Sequence, residues 1–475
     1  MTAAMMQLQS ALQWLPSARL VGGGETTIDR VHSDTRTIEP GDLFVALKGE
    51  KFDANAMLHE AGGRGAAAVL CHADAPLASY PQDLPRIEVP DTRLALGQLA
   101  AGWRAQFGIG LIAVTGSNGK TTVTQMLAAI LQAHAPAGAS LATIGNLNND
   151  IGVPLTLLRL RPMHRIAVVE LGMNHPGEIV RLAEMAQPTV ALVNNAQREH
   201  LEFMHSVEAV ARENGSVIEA LGPSGVAVFP AGDPFSPLWQ ALSGARKAVR
   251  FGMHAAVAAQ DLACQSAQWR EGAWDVHVRG LGEDFRFRLR IAGRHNVGNA
   301  LAAAASALAA GIAPRAIVQG LEAFVPVKGR SRALALSVHG RPCTLVDDTY
   351  NANPDSVHAA IEVLAELPGP RLLVLGDMGE VGTQGPMLHL EAVRHALASG
   401  IEQIVLTGEL FGAAADLSPA VRHFETVAQA QDAVLEALPQ LRSLLVKGSR
   451  FMRMERVVDA VCAAQAPQEN FHAAG

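Results

Sequence analysis

Continuous apolar runs, rather than alternating ones, dominate the hydrophobic pattern in the middle of this chain. Residues 111–114, 166–169 and 190–193 contain no polar side chain. Strands of this kind are buried on both faces, which is typical of a parallel sheet covered by helices. Apolar residues recur at helical spacing from Val123 to Leu131, so a helix is predicted directly after the first run.

The pattern changes on either side of this middle segment. Upstream, shorter strand-like runs at 42–47 and 67–71 precede a helical pattern at 94–103. Downstream, apolar runs again alternate with helical stretches, and these runs lie at 345–346, 372–375, 404–406 and 444–446. The chain is therefore predicted to be an α/β protein of three domains, at 1–108, 109–328 and 329–475, with a mainly parallel sheet in the central domain.

One stretch of the middle segment differs from the rest. Residues 233–290 are more polar, and apolar and polar positions alternate at 275–279 and 285–291. Alternation indicates half-buried strands, so an antiparallel insertion is predicted here. The last ten residues, 466–475, are predicted to be a frayed tail.

Composition agrees with several folded domains. The 475 residues are 49% hydrophobic and 17% charged, which excludes a disordered chain and, by length, predicts about three domains. The net charge of −7 and the 4% aromatic content argue against a basic, base-stacking surface, so no nucleic-acid partner is expected.

The cysteines and the N-terminus indicate the compartment. Cys71, Cys264, Cys343 and Cys462 are far apart in sequence, as in buried, reduced thiols of a cytosolic protein. The first 18 residues contain no Lys or Arg, and the apolar stretch 300–313 is shorter than the ~20 residues of a membrane span. We expect a soluble, cytoplasmic monomer without a membrane span.

A glycine-rich loop between the first buried strand and its helix is the most distinctive motif. Its residues are Gly116, Ser117, Asn118, Gly119, Lys120, Thr121 and Thr122. Glycines let backbone N–H groups approach phosphates, a lysine balances their charge, and a hydroxyl suits Mg²⁺. The alternative is a tight strand–helix turn that happens to contain lysine. The loop predicts nucleotide binding but specifies no reaction.

The same loop resembles the ATP loop of the Mur ligases and of folylpolyglutamate synthetases, which form amide bonds with ATP. Three further strings, at 143–156, 348–356 and 445–450, resemble the Mur ligase family, in particular its members that add D-alanyl-D-alanine to UDP-N-acetylmuramoyl-tripeptide. The matching strings extend from Ser33 to Arg450. The resemblance implies a UDP-binding N-terminal domain, a central ATPase domain and a Rossmann-like C-terminal domain.

The resemblance also implies the reaction and its participants. ATP would phosphorylate the terminal carboxylate of the tripeptide, and the amine of D-alanyl-D-alanine would displace phosphate from the acyl phosphate. Because anions meet in the site, Mg²⁺ and Lys120 are expected to offset their charge. The implied catalytic residues are Lys120, Glu170 and His200, and the implied Mg²⁺ ligands are Thr121, Glu170 and His200. The alternative for Glu170 is a capping or salt-bridged side chain, and for His200 a structural one.

One position departs from the family pattern. Mur ligases place a lysine, usually carbamylated, where this chain has Asn214, within 211–215. Asparagine offers an amide oxygen but no negative charge. We hypothesise that Asn214 or Glu213 supports the second metal position without carbamylation.

Further residues are assigned by the resemblance to ligand binding. Asn296 and Asn299 are expected near adenine, with N-capping as the alternative for Asn296, and Arg330 and Asp348 are expected near ATP. The expected substrate-binding residues are Ser33, Asp34, Thr35, Arg36, Lys48, Asn146, Asn148, Asn149, Thr156, Tyr350, Asn351 and Asn353. Ordinary polar turns are the alternative for 33–36 and for the asparagines at 148–149. Asp377, Glu380, His389 and Lys447 are weaker candidates.

Other functions are tested by motifs that the sequence lacks. A ligase of the preceding step usually has an Asp-Asn-Pro-Arg string, and a GTPase needs Asn-Lys-x-Asp; neither occurs. A folylpolyglutamate-type ligase does not explain the UDP-domain strings that precede the loop. An inactive sugar-nucleotide-binding scaffold remains an alternative because of Asn214.

Overall fold

The structure is a computed structural model that describes residues 4–49, 52–77, 80–253 and 261–464. Its strands form three large sheets and one two-stranded ladder. The three sheets define what are called here the N-terminal, central and C-terminal regions. The predicted frayed tail at 466–475 lies outside the described residues.

The N-terminal region is built on a five-stranded sheet of order β2-β7-β6-β5-β4, and β1 pairs with β3. Its elements are β1 (Met6–Gln7), β2 (Arg19–Val21), β3 (Thr27–Ile28), β4 (Arg30–His32), β5 (Asp42–Val45), α1 (Leu58–Gly63), β6 (Ala68–His72), β7 (Arg86–Val89) and α2 (Thr92–Arg104). Only β2 runs antiparallel to its neighbour in the large sheet. Asp91 is the N-cap residue of α2, and its carboxylate accepts hydrogen bonds from two N–H groups of the first turn.

The central region contains a nine-stranded sheet of order β16-β15-β14-β13-β12-β11-β8-β10-β9. Its strands are β8 (Gly110–Thr115), β9 (Ser140–Ala142), β10 (Ile166–Glu170), β11 (Val190–Val193), β12 (Val226–Pro230), β13 (Lys247–Gly252), β14 (Asp261–Arg270), β15 (Ala273–Gly280) and β16 (Glu283–Leu289). Its helices are α3 (Lys120–His134), α4 (Gly152–Leu157), α5 (Glu178–Ala186), α6 (Leu201–Met204), α7 (Val207–Glu219), α8 (Ser236–Ser243), α9 (Arg294–Ala309) and α10 (Pro314–Ala323). The three continuous apolar runs are parallel strands, as predicted, with β8 between β10 and β11.

The prediction of an antiparallel insertion at 233–290 is only partly right. Strands β14, β15 and β16 are antiparallel to one another. However, β13 pairs in parallel with β12, and β14 pairs in parallel with β13. The stretch therefore extends the edge of the central sheet. Its alternation arises because this end of the sheet is buried on one face only.

The C-terminal region has a six-stranded sheet of order β17-β18-β22-β19-β20-β21, in which only β17 runs antiparallel to its neighbour. Its elements are β17 (Arg332–Val338), β18 (Arg341–Asp348), α11 (Pro354–Ala365), β19 (Arg371–Gly376), α12 (Gly385–Ala398), β20 (Gln403–Thr407), β21 (Val421–Phe424), α13 (Val427–Ala437), β22 (Ser443–Lys447) and α14 (Glu455–Ala464). The four predicted apolar runs all lie in strands of this sheet.

Apolar side chains bury both faces of the central sheet. One core joins it to the N-terminal region, because α2 packs against α4 and α5. The other core contains α3, α9 and α10, and the alanines at 300–305 in α9 are completely buried there. The C-terminal sheet has a separate core on each face. Within the described residues, no helix combines the length and apolar character needed to cross a membrane.

All four cysteines are unpaired thiols, as predicted. Cys71, Cys264 and Cys343 are buried, whereas Cys462 is only half-buried on α14. Burial raises the pKa of the Cys71 thiol to about 11, so this thiol stays protonated at neutral pH.

Candidate functional site

All three regions meet around one cavity of about 1380 Å³. This volume exceeds the roughly 300–1,000 Å³ of typical small-molecule pockets, so the cavity has room for more than one ligand. It is lined by α2, by the glycine-rich loop, and by residues that follow β10, β11, β18 and β22. These positions follow the carboxyl ends of parallel strands, where ligands bind in open α/β sheets.

The glycine-rich loop joins β8 to α3, as predicted. Gly116 and Gly119 have φ of +128° and +81°, which favours glycine at both. A side chain at Gly119 would also collide with the amide groups of Asn194 and Asn299. The Asn118 N–H donates to the side-chain oxygen of Asn195 at 2.8 Å. The residues after β11 therefore hold the loop in shape.

Lys120 is the first residue of α3, and its ammonium group is held inside the cavity wall. It donates to the carbonyls of Gly116 and Ser117 at 2.6 and 3.0 Å. It also pairs with the carboxylate of Glu199 at 2.6 Å. Glu199 is 7% exposed, so this is a largely buried ion pair.

Glu170 ends β10 and lies opposite Val114 of β8, which brings it beside the loop. Its Oε1 accepts hydrogen bonds from the Thr121 hydroxyl at 3.0 Å and from the Asn148 amide at 2.8 Å. Its Oε2 is buried and has no hydrogen-bond partner among the described residues. A buried carboxylate with a vacant oxygen beside a hydroxyl suits a Mg²⁺ ligand set better than a capping role.

His200 follows β11 and adopts a left-handed backbone conformation, with φ of 48°. Its Nδ1 lies 2.5 Å from Oε2 of Glu380 in the C-terminal region, and its Nε2 lies 3.6 Å from Oε1 of Glu199. The nearby imidazole lowers the pKa of the Glu380 carboxyl below its usual range. The imidazole thus lies between two carboxylates at the cavity wall.

The structure does not support a metal-binding role for Glu213. Its two carboxylate oxygens accept hydrogen bonds from the N–H groups of Gly177 and Ile179, which begin α5. Asn214 lies behind the loop, and its side-chain oxygen accepts from the Thr115 hydroxyl at 2.5 Å and from the Gly116 N–H at 3.1 Å. Both side chains are thus used to position backbone.

The C-terminal region contributes a wall of charged and polar side chains. Asp348 pairs with Lys447 at 2.6 Å. Burial raises the pKa of Asp348, but the Lys447 ammonium outweighs this, so the pKa of Asp348 lies below its ordinary value. The Arg330 guanidinium lies over the Tyr350 ring, 3.9 Å from its centroid. Asn351, next to Tyr350, also lines the cavity, and its carbonyl accepts from Lys447.

Two further sets of contacts connect the C-terminal region to the central region. The side-chain amides of Asn118 and Asn353 exchange hydrogen bonds of 2.9 and 3.3 Å, so the glycine-rich loop contacts the N-cap residue of α11. Arg198 makes hydrogen bonds of 2.7–3.0 Å to Asp355 and of 2.9 and 3.2 Å to Glu391.

Asn296 and Asn299 both line the cavity, at the start of α9. The alternative of N-capping by Asn296 is wrong, because Gly293 is the N-cap residue. The Asn296 amide instead donates to the Ala292 carbonyl at 2.7 Å and accepts from Asn299. The two amides form a small network at the cavity wall.

Some predicted ligand-binding residues lie elsewhere. Asn146, Asn148 and Asn149 line the cavity, but Thr156 is fully buried in α4 and its hydroxyl has no partner among the described residues. The expectation that Thr156 contacts substrate is therefore not supported. The five N-terminal candidates, Ser33, Asp34, Thr35, Arg36 and Lys48, are not part of the cavity lining. Of these, Asp34 caps a short 3₁₀ turn and pairs with Arg36, which lowers the pKa of Asp34 to about 2.

The weaker candidates divide in the same way. Lys447 and Glu380 line the cavity. Asp377 instead accepts hydrogen bonds from the backbone of Leu410 and Phe411, and His389 is completely buried against the Met378 N–H. These two side chains support the C-terminal fold.

Apart from His200, sequence reasoning missed the functional residues between β11 and α6. Glu199, Arg198 and Asn194 each make contacts that hold Lys120, α11 or the loop. These residues could have been predicted from their position directly after a buried parallel strand, since the end of such a strand also indicated Glu170.

Family models match most of the chain. They are the Mur ligase family catalytic domain at residues 27–104, the Mur ligase middle domain at 114–307, and the Mur ligase glutamate ligase domain at 331–450. The three matches fall on the N-terminal, central and C-terminal regions in that order.

Individual proteins are similar over almost their full length. The chain is 41% identical over 450 residues to UDP-N-acetylmuramoyl-tripeptide–D-alanyl-D-alanine ligase of Escherichia coli strain K12, covering 92% of this chain and 95% of that one. It is 35% identical over 445 residues to the Bacillus subtilis strain 168 ligase of the same name, covering 91% and 93%. A crystal structure of MurF from Acinetobacter baumannii superposes with a TM-score of 0.87 at 34% identity, covering 96% of this chain and 98% of that one. MurF of Thermotoga maritima, in complex with ADP, has the same fold, with a TM-score of 0.78 at 24% identity and coverage of 91% and 96%.

Proposed function

The chain belongs to the Mur ligase family, and we propose that it joins D-alanyl-D-alanine to UDP-N-acetylmuramoyl-tripeptide at the expense of ATP. The observation that supports this most directly is the large cavity in which the glycine-rich loop meets polar side chains of all three regions. Relatives at 41% and 35% identity over more than nine-tenths of this chain have names that specify the same reaction. A peptidoglycan precursor, UDP-N-acetylmuramoyl-pentapeptide, is then the product.

The chemistry proceeds in two displacements. A carboxylate oxygen of the tripeptide attacks the γ-phosphorus of ATP, the bond to the bridging oxygen breaks, and ADP leaves. The amine of D-alanyl-D-alanine then attacks the acyl carbon, loses a proton and expels phosphate. Both steps bring anions together, so the site must offset negative charge.

Lys120 and the loop N–H groups are the proposed phosphate-binding groups. Lys120 begins α3, and this helix N-terminus adds partial positive charge at the same point. We assign Asn296 and Asn299 to adenine because both amides line the cavity beside the loop. Arg330 and Asp348 are assigned to the nucleotide on the opposite wall.

The residues beside the loop fit Mg²⁺. Thr121 supplies a hydroxyl and Glu170 a buried carboxylate whose Oε2 has no partner among the described residues. His200 is the third proposed ligand. When bound, the cation neutralises phosphate charge in the transition state.

Substrate positions follow from the regions that contribute them. We assign the UDP group to the N-terminal region, through 33–36 and Lys48. We assign the muramoyl peptide to Asn146, Asn148 and Asn149, and D-alanyl-D-alanine to Tyr350, Asn351 and Asn353. The proposed domains are 1–108, 109–328 and 329–475. The chain is proposed to act as a monomer in the cytoplasm, where ATP is available.

The deciding experiment measures phosphate release from Mg·ATP with UDP-N-acetylmuramoyl-tripeptide, with and without D-alanyl-D-alanine, and identifies the product by mass spectrometry. We expect release that needs both substrates and yields the pentapeptide. Release only with a UDP-muramoyl dipeptide and a diamino acid would assign the chain to the preceding step. ATP binding without turnover in either assay would favour the scaffold.

A further inference from the structure

Glu199 is a buried carboxylate in the cavity that the proposed reaction does not yet use. It is 7% exposed and lines the cavity next to Lys120. Its Oε1 pairs with the Lys120 ammonium at 2.6 Å. Its Oε2 is buried and lacks a hydrogen-bond partner within the described part of the chain. Among the described residues, one of the two carboxylate oxygens thus has no hydrogen-bond partner even before a ligand binds.

Nucleotide binding is expected to remove the positive charge of Lys120 from Glu199. If Lys120 turns to the phosphates, as the proposed function requires, Glu199 loses its cation while more negative charge arrives beside it. A buried carboxylate that loses its partner is strongly destabilised. Some positive group must therefore replace Lys120 at Glu199 in the nucleotide complex.

Apart from Lys120, the basic side chain that the described residues place within ion-pair distance of Glu199 is His200. Its Nε2 lies 3.6 Å from Oε1 of Glu199, while its Nδ1 lies 2.5 Å from Glu380. The imidazole thus already faces another carboxylate. The positive charge must come with the ligand.

A divalent cation has the required chemistry. Mg²⁺ prefers oxygen ligands and binds through one or two carboxylates together with phosphate oxygens. In the described residues, no group of three or more His, Cys, Asp or Glu side chains is arranged to hold a metal ion. A cation here would therefore need phosphate oxygens to complete its ligands and would enter together with the nucleotide.

Glu213 and Asn214, the residues first expected to support the metal, are occupied by other hydrogen bonds. The Glu213 carboxylate binds the N-terminus of α5, and the Asn214 oxygen binds Thr115 and Gly116. Neither offers a free negative charge to the cavity. Glu199 does, and it directly precedes His200 in the chain.

We propose that Glu199 is a divalent-cation ligand that pairs with Lys120 in the absence of nucleotide and transfers to Mg²⁺ when the nucleotide phosphates take Lys120. This rests on the proposed function for the presence of ATP, and it adds a carboxylate to the Thr121, Glu170 and His200 set. It supplies the negative charge that Asn214 lacks.

The test measures the affinity of the intact chain for a non-hydrolysable ATP analogue by calorimetry, in EDTA and in millimolar MgCl₂. The variants are E199Q, E199D and the control E202Q, which removes one charge from an exposed side chain outside the cavity lining. Parent and E202Q are expected to bind more tightly with Mg²⁺. E199Q is expected to lose roughly tenfold or more of that gain, because loss of even an outer-shell partner of a metal ligand costs about 10–100-fold in metal affinity. E199D is expected to recover part of it.

The EDTA arm separates this role from a simpler one. If Glu199 only compensates Lys120, E199Q tightens binding by the same factor in EDTA and in MgCl₂, and the gain from Mg²⁺ stays at the parent value; that result overturns the proposal. Thermal melts of each variant confirm that it is folded. Failure of the parent to bind the analogue in either condition would contradict the proposed function itself, and the role of Glu199 with it.

Discussion

Replacing Arg198 with alanine tests whether the contact between the central and C-terminal regions is required for catalysis. Arg198 lies after β11, within the segment that shapes the glycine-rich loop. Its guanidinium binds the carboxylates of Asp355 on α11 and Glu391 on α12. The backbone N–H of Arg198 also donates to Asp355 at 2.7 Å. Burial opposes the charge, but the two carboxylates outweigh this and raise the pKa of Arg198.

The magnitude follows from this geometry. Hydrogen bonds to charged groups contribute about 1.5–3 kcal/mol when well formed. The Arg198 and Asp355 side chains are 25% and 24% exposed and Glu391 is 39% exposed. Solvent screening therefore places the combined contribution of these hydrogen bonds near the lower end of that range, at about 2 kcal/mol. A loss of about 2 kcal/mol corresponds to roughly 30-fold in an equilibrium constant.

We therefore expect kcat/KM of the R198A variant to fall by up to ~30-fold in the phosphate-release assay with both substrates. A matched control is R250A, since Arg250 donates to Asp261 at 2.7 and 2.9 Å but both residues lie in the central sheet. R250A is expected to lower the melting temperature with little change in kcat/KM. A folded R198A variant within twofold of the parent, or an equal loss in R250A, would refute the reasoning.

Three shorter predictions concern other parts of the chain. K120A should lower kcat by at least ~100-fold, because a group that offsets phosphate charge is lost, and steady-state phosphate release measures this directly. T156V should leave kcat unchanged and raise the free energy of unfolding by about 1 kcal/mol in urea titrations, because it removes a buried hydroxyl without a partner among the described residues; a loss of activity would restore Thr156 as a substrate contact. Burial opposes ionisation of Glu88, but Arg86 and Arg19 outweigh it and lower its pKa, so its contribution to stability is present above about pH 4.3 and is lost as pH falls through the lower folded value. E88Q should therefore melt below the parent at pH 7, with the difference narrowing below about pH 4; a constant difference would contradict this.

Local patterns in the sequence predicted the elements that position the site. The glycine-rich loop was recognisable because a buried strand, two glycines, a lysine and a hydroxyl follow one another within 111–122. Glu170 was recognisable by its place at the end of an apolar run, and it lies beside Thr121 as that place implies. Parallel strands force such residues to one edge of the sheet, so sequence position alone determines where they meet.

Contacts between distant residues had no such signal. Asn118 and Asn353 are 235 positions apart, and nothing in either short string indicates that the two amides pair. Glu213 was a reasonable metal candidate by position, but the turn that begins α5 brings two N–H groups to its carboxylate. The prediction that Thr156 binds substrate is unsupported for a related reason, because its position in α4 directs the hydroxyl into the core rather than into the cavity.

The segment between β11 and α6 explains why these distant contacts matter together. Asn195 holds the backbone of the glycine-rich loop, Arg198 binds α11 and α12, Glu199 binds Lys120, and His200 faces Glu380 of the C-terminal region. One short piece of backbone thus contacts both the phosphate-binding groups and the region proposed to hold the dipeptide. Any displacement of that segment changes both sets of contacts, so their binding free energies are linked. This is why R198A is expected to impair the steps that use ATP as well as the attack of D-alanyl-D-alanine, although Arg198 is assigned to neither ligand.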